Sequence, residues 1–299
     1  MPETASDSIG SNTPGPGAGR AILMNACTSA SHPGAWLALD RSTAILLGEA
    51  VADAGSERGP RSTLAFIAAL LPFSSSLTTV LHPDGRPILL HDDISPERRE
   101  MVVESYLRGA YLLDPFYRFV CRKPGTRVLR LKDIQPDHFR KTEFFRSYYA
   151  HARLADEVGI IIERRDGSHI FVSLGLALGT GTFSRRGQER LVFFLPVIAA
   201  LLLRNWDTDS SSDGARAAVT PEGAHLALDD ILVMKEFECL TTREREVVRF
   251  MLLGHSSKSI ARCLDIALGT VKNHRKNIYR KLAIRSQSAL FARFLNLIG

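Results

Sequence analysis

Cysteine is scarce in this sequence of 299 residues, and its positions follow no metal-binding pattern. The thiols lie far apart in the chain and none belongs to a C-x-x-C pair, so the sequence favours neither a zinc site nor a disulfide framework. We expect reduced thiols and no bound metal. The four residues are Cys27, Cys121, Cys239 and Cys263.

The sequence also lacks a hydrophobic segment long enough to cross a bilayer. The apolar run 191–203 spans 13 residues and contains Pro196, whereas a transmembrane helix needs about 20 apolar residues, so we predict a buried helix. Residues 1–20 are rich in Gly, Pro, Ser and Thr and lack the basic start and apolar centre of a signal peptide. We predict a disordered tail there. These features predict a cytoplasmic protein that is not bound to a membrane.

Motifs of common enzyme classes are missing as well. The sequence contains no G-x-S-x-G, no H-E-x-x-H and no phosphate loop, since the Gly-Thr-Gly-Thr segment at 179–182 lacks the P-loop lysine. His138 and His151 lie 13 residues apart, a spacing that does not favour metal ligation. We therefore expect no catalytic site and no cofactor. A sensor domain of enzyme origin with residual catalysis is the less favoured alternative.

Positive charge is concentrated at the C-terminal end. Residues 240–299 contain 12 Lys and Arg against 3 Asp and Glu, whereas the other residues contain 26 against 29. The net charge of +6 for the whole chain therefore originates in this segment. A basic excess confined to one small region is typical of a surface that binds nucleic-acid phosphates.

The same segment has the signals of a helix-turn-helix. Thr241 followed by Glu244 has the spacing of a capping box and predicts a helix start, and Gly254 predicts the end of that helix. Ser256 predicts the N-cap of a second helix, which is followed by a turn. In such a motif the next helix lies in the major groove of DNA.

That third helix is predicted over residues 270–281 and has two different faces. Apolar residues such as Val271 and Ile278 recur at helical spacing and are expected to face inward. Because Lys can donate to guanine and Asn can pair with adenine, the other face is predicted to recognise base sequence. Its side chains are Lys272, Asn273, Lys276 and Arg280.

A dense set of further residues at fixed spacing accompanies these features. They are Leu240-Thr241, Arg243-Glu244-Arg245-Glu246-Val247, Gly254, Ser256, Lys258, Ile260-Ala261, Leu264, Thr270-Val271-Lys272, His274, Asn277-Ile278-Tyr279 and Lys281-Leu282. On these residues the segment resembles the LuxR/GerE-type DNA-binding domain of bacterial transcription regulators. The resemblance covers about a fifth of the chain, and its many matched positions make it highly specific.

The resemblance implies roles for individual residues on double-stranded DNA. Lys272, Asn273 and Lys276 would face bases from the third, or recognition, helix. Contacts to phosphates are implied for Ser256, Lys258, Thr270, Arg275 and Tyr279. Ala267 departs from the family, which commonly has serine just before this helix, and the missing hydroxyl is expected to weaken the helix start by ~1 kcal/mol.

A fourth helix is predicted over 286–298, with more apolar surface than one core contact needs. Its apolar residues are Leu290, Phe291, Phe294, Leu295, Leu297 and Ile298. Members of the resembled family often dimerise through this helix, which implies a homodimer with two recognition helices about one DNA turn apart. RNA polymerase is a further partner compatible with such a regulator. A helix that only closes a small core is the alternative.

Composition divides the chain into segments. After the tail, residues 21–206 are predicted to form an α+β sensor domain. A polar, unpatterned linker follows at 207–224. Residues 225–299 are predicted to form an all-α, four-helix helix-turn-helix domain, with a short helix over 226–240 leading into it.

Within the predicted sensor domain, two β-branched and apolar runs flank an Asp-Gly turn. The runs 158–163 and 169–176 therefore predict a β-hairpin. Helices are predicted over 96–111, over the aromatic-rich segment 136–151, and from Ser184 to about residue 204. We expect these helices to lie on one face of the sheet. The layout resembles the PAS/GAF-type sensor modules that often precede this DNA-binding domain.

A ligand pocket is predicted from Tyr106, Tyr111 and Asp114-Pro115. These residues resemble the Y-x-x-x-Y…D-P segment of acyl-homoserine-lactone receptors, in which the aspartate accepts a hydrogen bond from the ligand amide and the tyrosines line the pocket. The resemblance implies ligand contacts for Tyr111 and Asp114, and we add the aromatic residues Phe144 and Tyr148 as candidates. The tryptophan of that pattern is missing from the segment.

Together these features predict a DNA-binding transcription regulator whose sensor domain responds to a small-molecule signal. A receptor for an acyl-homoserine lactone is one alternative. A phosphorylation-controlled response regulator is another, but it needs an acidic pair and a phosphoacceptor after a buried strand. Asp92-Asp93 is the only acidic pair in the first hundred residues, and no apolar strand run precedes it.

Overall fold

The computed structural model of the protein describes residues 39–82, 85–142, 144–149, 152–206 and 228–298. The predicted tail at 1–20 and the predicted linker at 207–224 lie outside these ranges. The domain boundaries at 206 and 225 therefore stay predictions. The described residues belong to one compact unit that begins at Leu39.

A five-stranded antiparallel sheet organises the N-terminal part. Its spatial order is β2-β1-β5-β4-β3. The predicted hairpin is present, because β4 and β5 pair along their length around a turn in which Gly167 has a φ of 80°. The strands are β1 (Ser75–Leu81), β2 (Ile88–Asp92), β3 (Arg127–Arg130), β4 (Leu154–Glu163) and β5 (His169–Ala177).

Three long helices cover one face of this sheet. They are α1 (Arg41–Asp53), α2 (Gly59–Leu70) and α7 (Arg185–Trp206), which contains Pro196. As predicted, Ser184 caps α7, since its Oγ accepts from the N–H of Gly187 at 3.1 Å. Only one side of α7 is buried, and Val192 and Phe193 on the other side are 49% and 53% exposed. Within the described ranges, no helix combines the length and apolar character needed to span a membrane.

The opposite face of the sheet is covered too, which corrects our expectation of helices on one face only. In β4 and β5, apolar side chains point to both faces of the sheet. Val158, Ile160 and Val172 pack under the long helices, whereas Ile161 and Phe171 pack against a second helical layer. A strand with apolar residues at successive positions must bury both faces. The sensor fold is therefore an α+β arrangement of three layers.

This second layer consists of short helical segments. They are α3 (Pro96–Arg99), a π-helical turn (Glu100–Glu104), α4 (Ser105–Arg108), a 3-10 turn (Ala110–Leu113), α5 (Pro115–Arg122) and α6 (Leu131–Ile134). Asp114 is the N-cap of α5 and accepts from the N–H of Phe116 at 2.9 Å. The apolar core of this layer is continuous with that of the C-terminal helices.

The aromatic segment 136–151 is not the single helix that its composition predicts. It contains a 3-10 turn (Phe139–Lys141) and a π-helical turn (Phe145–Tyr149). Thr142 separates them, because its Oγ1 donates to the carbonyl of Phe139 at 2.7 Å and accepts from the N–H of Phe145 at 3.0 Å. A threonine side chain that satisfies backbone groups in this way competes with helix continuation.

The C-terminal part contains the four helices that the sequence predicts. The single helix predicted over 226–240 is replaced by the short helix α8 (Leu228–Ile231) and a 3-10 turn (Lys235–Phe237). The four are α9 (Thr242–Leu252), α10 (Ser257–Cys263), α11 (Leu268–Lys281) and α12 (Gln287–Ile298). Gly254 ends the first of them with a φ of 88°, and Asp265 makes the turn before α11 with a φ of 50°. The recognition helix α11 begins two residues earlier than predicted.

Candidate nucleic-acid interface and sensor cavity

The Glu244 carboxylate joins α9 to the recognition helix. It accepts hydrogen bonds from the N–H of Thr241 at 2.9 Å, as the capping box requires, and from Nζ of Lys281 at 2.6 Å. Burial alone would raise the pKa of Glu244, but the hydrogen bonds from Lys281 and Thr241 outweigh it and lower the pKa. The charged pair therefore fixes the C-terminal end of α11 against α9.

The recognition helix buries one side and exposes the other. Val271 and Ile278 have no accessible surface, whereas Lys272, Asn273 and Lys276 are exposed. The N-cap of the helix is Ala267, and no side chain caps its first N–H groups. The three side chains assigned to base contacts thus lie together on one exposed face, where they can reach a groove.

The residues assigned to phosphate contacts surround this face. Lys258 and Thr270 are exposed. The Arg275 guanidinium donates to the hydroxyl of Tyr279 at 3.1 Å and to Oε1 of Gln287 at 3.3 Å, which holds it in place beside the face. A cleft of about 930 Å³ runs along these side chains. Its basic lining residues are Lys258, Lys272, Arg275 and Lys276.

An acidic side chain of the sensor part, that of Asp137, also lines this cleft. Asp137 accepts a hydrogen bond from the hydroxyl of Ser256 at 2.7 Å and another from the N–H of Ser256 at 3.3 Å. Next to this contact, a Cβ added at Gly254 would lie 2.5 Å from Cγ2 of Thr142. The 137–142 segment therefore packs directly on the turn that leads into α10, across a separation of 119 residues.

The sensor part contains a cavity of about 40 Å³ between the sheet and the second helical layer. Asp114 and Glu157 both line it, together with three tyrosines. The remaining lining is small or apolar. The lining residues are Ser75, Ser76, Leu77, Ile94, Val102, Tyr106, Asp114, Tyr148, Tyr149, Ala152, Leu154, Glu157, Phe171, Ser173 and Gly175.

Each of the two carboxyl groups is held by hydroxyl donors. Tyr106 donates to Oδ2 of Asp114 at 2.8 Å, while the other oxygen of that carboxyl accepts from the backbone at the start of α5. Tyr149 donates to Oε2 of Glu157 at 2.7 Å, and Ser173 donates to Oε1 at 2.5 Å. All of these donors are neutral, so hydrogen bonds position the carboxyl groups without neutralising them.

Burial makes ionisation of this pair costly. It raises the pKa of Asp114 to about 6 and that of Glu157 to about 7, and repulsion from Asp114 contributes to the rise at Glu157. Hydrogen bonds from Tyr106, Tyr149 and Ser173 act in the opposite direction but do not compensate. Burial also raises the pKa of Tyr106 and Tyr149, which stay protonated and act as donors.

A row of aromatic rings extends from the cavity to the C-terminal helices. Tyr148 lies 6.0 Å from Tyr106 between ring centroids and stacks on Phe144 at 5.4 Å. Phe144 in turn lies 6.4 Å from Phe291 of α12. Phe291, part of the apolar surface noted in the fourth helix, is therefore covered by a residue of the sensor part.

Two of the four ligand candidates line the cavity and two do not. Asp114 and Tyr148 reach it. Tyr111 is buried elsewhere, packed edge-on against Tyr117 at 4.9 Å, and Phe144 lies behind Tyr148. Tyr106 takes the place that the sequence analysis gave to Tyr111, because α4 ends at Arg108 and the following 3-10 turn rotates the next residues away.

Two acidic residues of these sites were not predicted from the sequence. Glu157 was overlooked because the predicted strand began at Val158, whereas β4 begins at Leu154. An acid directly before a β-branched run is the only signal that could have identified it. Asp137 carries no signal of its own, since its partner Ser256 is remote in sequence. In the part of the chain that the structure describes, no group of three or more His, Cys, Asp or Glu could hold a metal ion.

Comparison with known families and proteins places the chain among bacterial regulators. Residues 238–293 match the family model of bacterial regulatory proteins, luxR family. The chain is 35% identical over 234 residues to the monoamine regulon transcriptional regulator of Klebsiella aerogenes, covering 77% of this chain and 87% of that protein. It is 34% identical over 156 residues to an HTH-type transcriptional regulator of Aeromonas salmonicida, covering 52% and 79%.

The sensor fold has a relative among solved structures. The VqsR LBD domain from Pseudomonas aeruginosa superposes with a TM-score of 0.50 at 20% identity, covering 57% of this chain and 99% of that domain. At this identity the likeness establishes the fold. The two relatives above 30% identity, matched over more than two thirds of their length, and the match over the helix-turn-helix establish more. The chain belongs to the luxR family of bacterial regulatory proteins and is a transcriptional regulator.

Proposed function

We propose that this regulator binds double-stranded DNA sequence-specifically through α11. Lys272, Asn273 and Lys276 read base edges in the major groove. The supporting observation is the division of α11 into a buried side and an exposed side on which these donors are adjacent. Lys can donate to guanine N7 and O6, and Asn can pair with adenine, so the face has the chemistry of direct readout.

Phosphate contacts position this face on the duplex. We assign them to Ser256, Lys258, Thr270, Arg275 and Tyr279. Lys258 and Arg275 supply positive charge along the cleft, and Ser256 lies at the start of α10 with an N–H and a hydroxyl. Contacts of this kind fix register and orientation and make affinity depend on salt.

The sensor part controls access to this surface. Asp137 occupies both donor groups of Ser256, so in this conformation Ser256 is not available to a phosphate. A carboxylate there also opposes the approach of the DNA backbone by charge repulsion. Binding of DNA therefore requires that the 137–142 segment move away from the turn at Gly254.

A small-molecule signal is proposed to bind in the cavity between Asp114 and Glu157. The cavity lies in the domain whose fold the VqsR LBD domain shares, and its polar groups converge on one partly open space. A ligand can shift the regulator only if it binds one of the two arrangements better than the other.

The regulator is proposed to act as a homodimer, with RNA polymerase as its partner at the promoter. Leu295 and Leu297 of α12 keep accessible surface beside the buried Phe291. Two copies joined through this helix would present two recognition helices to half-sites about one helical turn apart.

Selection of bound sites from random duplex DNA with the full-length protein tests the proposal. We expect an inverted repeat whose half-sites are about one helical turn apart. A single half-site would contradict the dimer while keeping sequence-specific binding. The same selection is made with the Asp137→Ala variant, and circular dichroism checks that both proteins are folded. If neither protein enriched any sequence, sequence-specific binding would be rejected.

A further inference from the structure

Two buried carboxyl groups, those of Asp114 and Glu157, line the cavity of the sensor part. Among the described residues that line it, none is basic. The neighbouring acid Asp156 is already paired with Arg130 at 2.7 Å, and its other interactions support the start of α7. Arg118 acts on Asp114 only at a distance, without an ion pair. When Asp114 and Glu157 are ionised, they therefore have no cation in direct contact among the described residues.

The two carboxyl groups also keep unused acceptor capacity. Each of their four oxygens accepts one hydrogen bond, from Tyr106, from the N–H of Phe116, from Tyr149 or from Ser173. A carboxylate can accept about four hydrogen bonds over its two oxygens, so each group has room for further donors. Ligand groups that supply N–H donors and a positive charge meet both needs.

Aromatic rings form the adjacent wall. Tyr106, Tyr148 and Tyr149 line the same space, with Tyr106 and Tyr148 inclined to each other by 35°. Tyrosine faces attract cations within about 6 Å of the ring centroid. The combination of carboxylates with aromatic faces favours positive charge, because a neutral donor gains a hydrogen bond to a carboxylate but neither the charge attraction nor the cation–π contact.

We propose that the cavity binds the ammonium group of a small organic amine between Asp114 and Glu157. The ammonium donates to a free lone pair of each carboxylate, and the carbon portion contacts Leu77, Ile94 and Val102 on the apolar side. The proposal names the chemical class of the signal and rests on the proposed control of DNA binding by the sensor part.

A neutral ligand fits this site less well. One amide N–H uses one carboxylate and leaves the second acid buried without a charged partner. Since a buried unpaired charge is costly, that acid must then stay protonated. An ammonium group avoids this cost, because it stabilises both carboxylates in their ionised form and releases the proton that the empty site shares between them.

The size of the cavity limits the ligand. About 40 Å³ accommodates a group of a few non-hydrogen atoms, comparable with two or three water molecules. The experiment therefore uses n-alkylamines from methylamine to n-butylamine, each paired with the alcohol of equal chain length. The alcohols keep size and a hydrogen-bond donor but carry no charge.

Isothermal titration calorimetry of the full-length protein at pH 8 and constant ionic strength measures binding directly. We expect the amines to bind and the alcohols to bind at least about tenfold more weakly. Glu157→Gln should weaken amine binding by about tenfold or more, whereas Glu163→Gln, at the exposed end of β4, should not change it. In a second titration at pH 6, below the pKa of about 7 of Glu157, proton release should appear as a dependence of the heat on the buffer used.

Three results would overturn the proposal. The first is equal affinity for amine and alcohol in the unmodified protein. The second is an equal loss of amine affinity in the Glu157→Gln and Glu163→Gln variants. The third is binding of N-butanoyl homoserine lactone without binding of any amine. The first comparison needs no substitution, so it remains decisive if a variant does not fold. DNA binding by the same preparation is measured separately, and its failure would affect the proposed function without affecting amine binding.

Discussion

Asp137 and Ser256 form the most direct polar link between the sensor part and the helix-turn-helix. Oδ2 of Asp137 accepts from the Ser256 hydroxyl at 2.7 Å, and Oδ1 accepts from its N–H at 3.3 Å. Burial alone would raise the pKa of Asp137, but the hydrogen bonds from Ser256 outweigh it and lower the pKa. The carboxylate is therefore charged at neutral pH and competes with DNA phosphate for the same donors.

Removing that carboxylate should strengthen DNA binding. We predict that Asp137→Ala binds its selected site about 2- to 5-fold more tightly, which is the range expected for an exposed charged contact. Fluorescence anisotropy with labelled duplex measures the change. Asp133→Ala, which removes an exposed acid from α6, is the control for net charge. Equal effects of both substitutions would mean that only the overall charge matters.

The base-reading assignment of Lys272 predicts a change of specificity. Lys272→Ala should weaken binding of the selected site by about 1–3 kcal/mol and relax discrimination at one base position. Selection from random duplex DNA with the variant measures both effects. An unchanged selected site would show that another face of α11 contacts the bases.

Lys258 should behave differently, because a phosphate contact carries no sequence information. We predict that Lys258→Ala weakens binding to all sequences alike and reduces the slope of log affinity against log salt by about one unit. Titrations at several salt concentrations, on the selected site and on random duplex, measure it. Lys235→Ala, an exposed lysine in the 3-10 turn before α9, should leave the slope unchanged. A loss confined to the selected site would contradict the assignment.

The buried carboxyl pair predicts how stability depends on pH. Because the pKa of Glu157 rises to about 7 in the folded protein, folding favours its protonated form. That stabilisation is fully present below about pH 4.5 and is lost as the pH rises through about 7. The side chain introduced by Glu157→Gln stays neutral at every pH. Between pH 5 and pH 8, the free energy of unfolding should therefore fall by about 1–3 kcal/mol less in this variant than in the unmodified protein.

Urea denaturation of both proteins across this pH range measures the difference. Glu163→Gln provides the control, since it removes an exposed carboxyl from the same strand. If Glu157→Gln lost as much stability with rising pH as the unmodified protein, the burial of charge at this position would not govern the pH dependence.

Gly254 should not tolerate a side chain. Its φ of 88° lies in the left-handed region, and a Cβ there would lie 2.5 Å from Cγ2 of Thr142. We predict that Gly254→Ala lowers the free energy of unfolding by about 1–2 kcal/mol. Gly48 lies in the middle of α1, and a Cβ added there would meet no atom of another described part of the chain within 4 Å. Gly48→Ala should therefore be neutral or stabilising. Thermal denaturation of the two variants tests this contrast.

The C-terminal helices were predictable because their signals are local. Each signal depends on residues that are close in sequence. Examples are the capping box of Thr241 and Glu244, the glycine at 254, and the alternation of Val271 and Ile278 with basic residues. The structure adds the Lys281 contact to Glu244, which no local rule indicates.

The sensor cavity was only partly predictable, because its walls come from distant parts of the chain. Asp114 could be identified from the resemblance of its segment to the Y-x-x-x-Y…D-P pattern, whereas Glu157 depends on where β4 begins. The choice between Tyr106 and Tyr111 depends on a change of helix type at Gly109, which composition does not reveal. Helices over 96–111 and 136–151 were predicted, but their place on the second face of the sheet was not, nor were their breaks into short 3-10 and π-helical turns, which lack a clear period.

The stack of Phe144 on Tyr148 and its contact with Phe291 have a thermodynamic consequence. Tyr148 belongs to the cavity wall and Phe291 to α12, so Phe144 is a shared neighbour of both sites. If filling the cavity displaces Tyr148, the energy of the α12 contact changes with it. Linkage is reciprocal, so an operator that favours one position of α12 would alter the affinity of the cavity for its ligand by the same factor. The amount of bound operator would then set the ligand concentration to which the regulator responds.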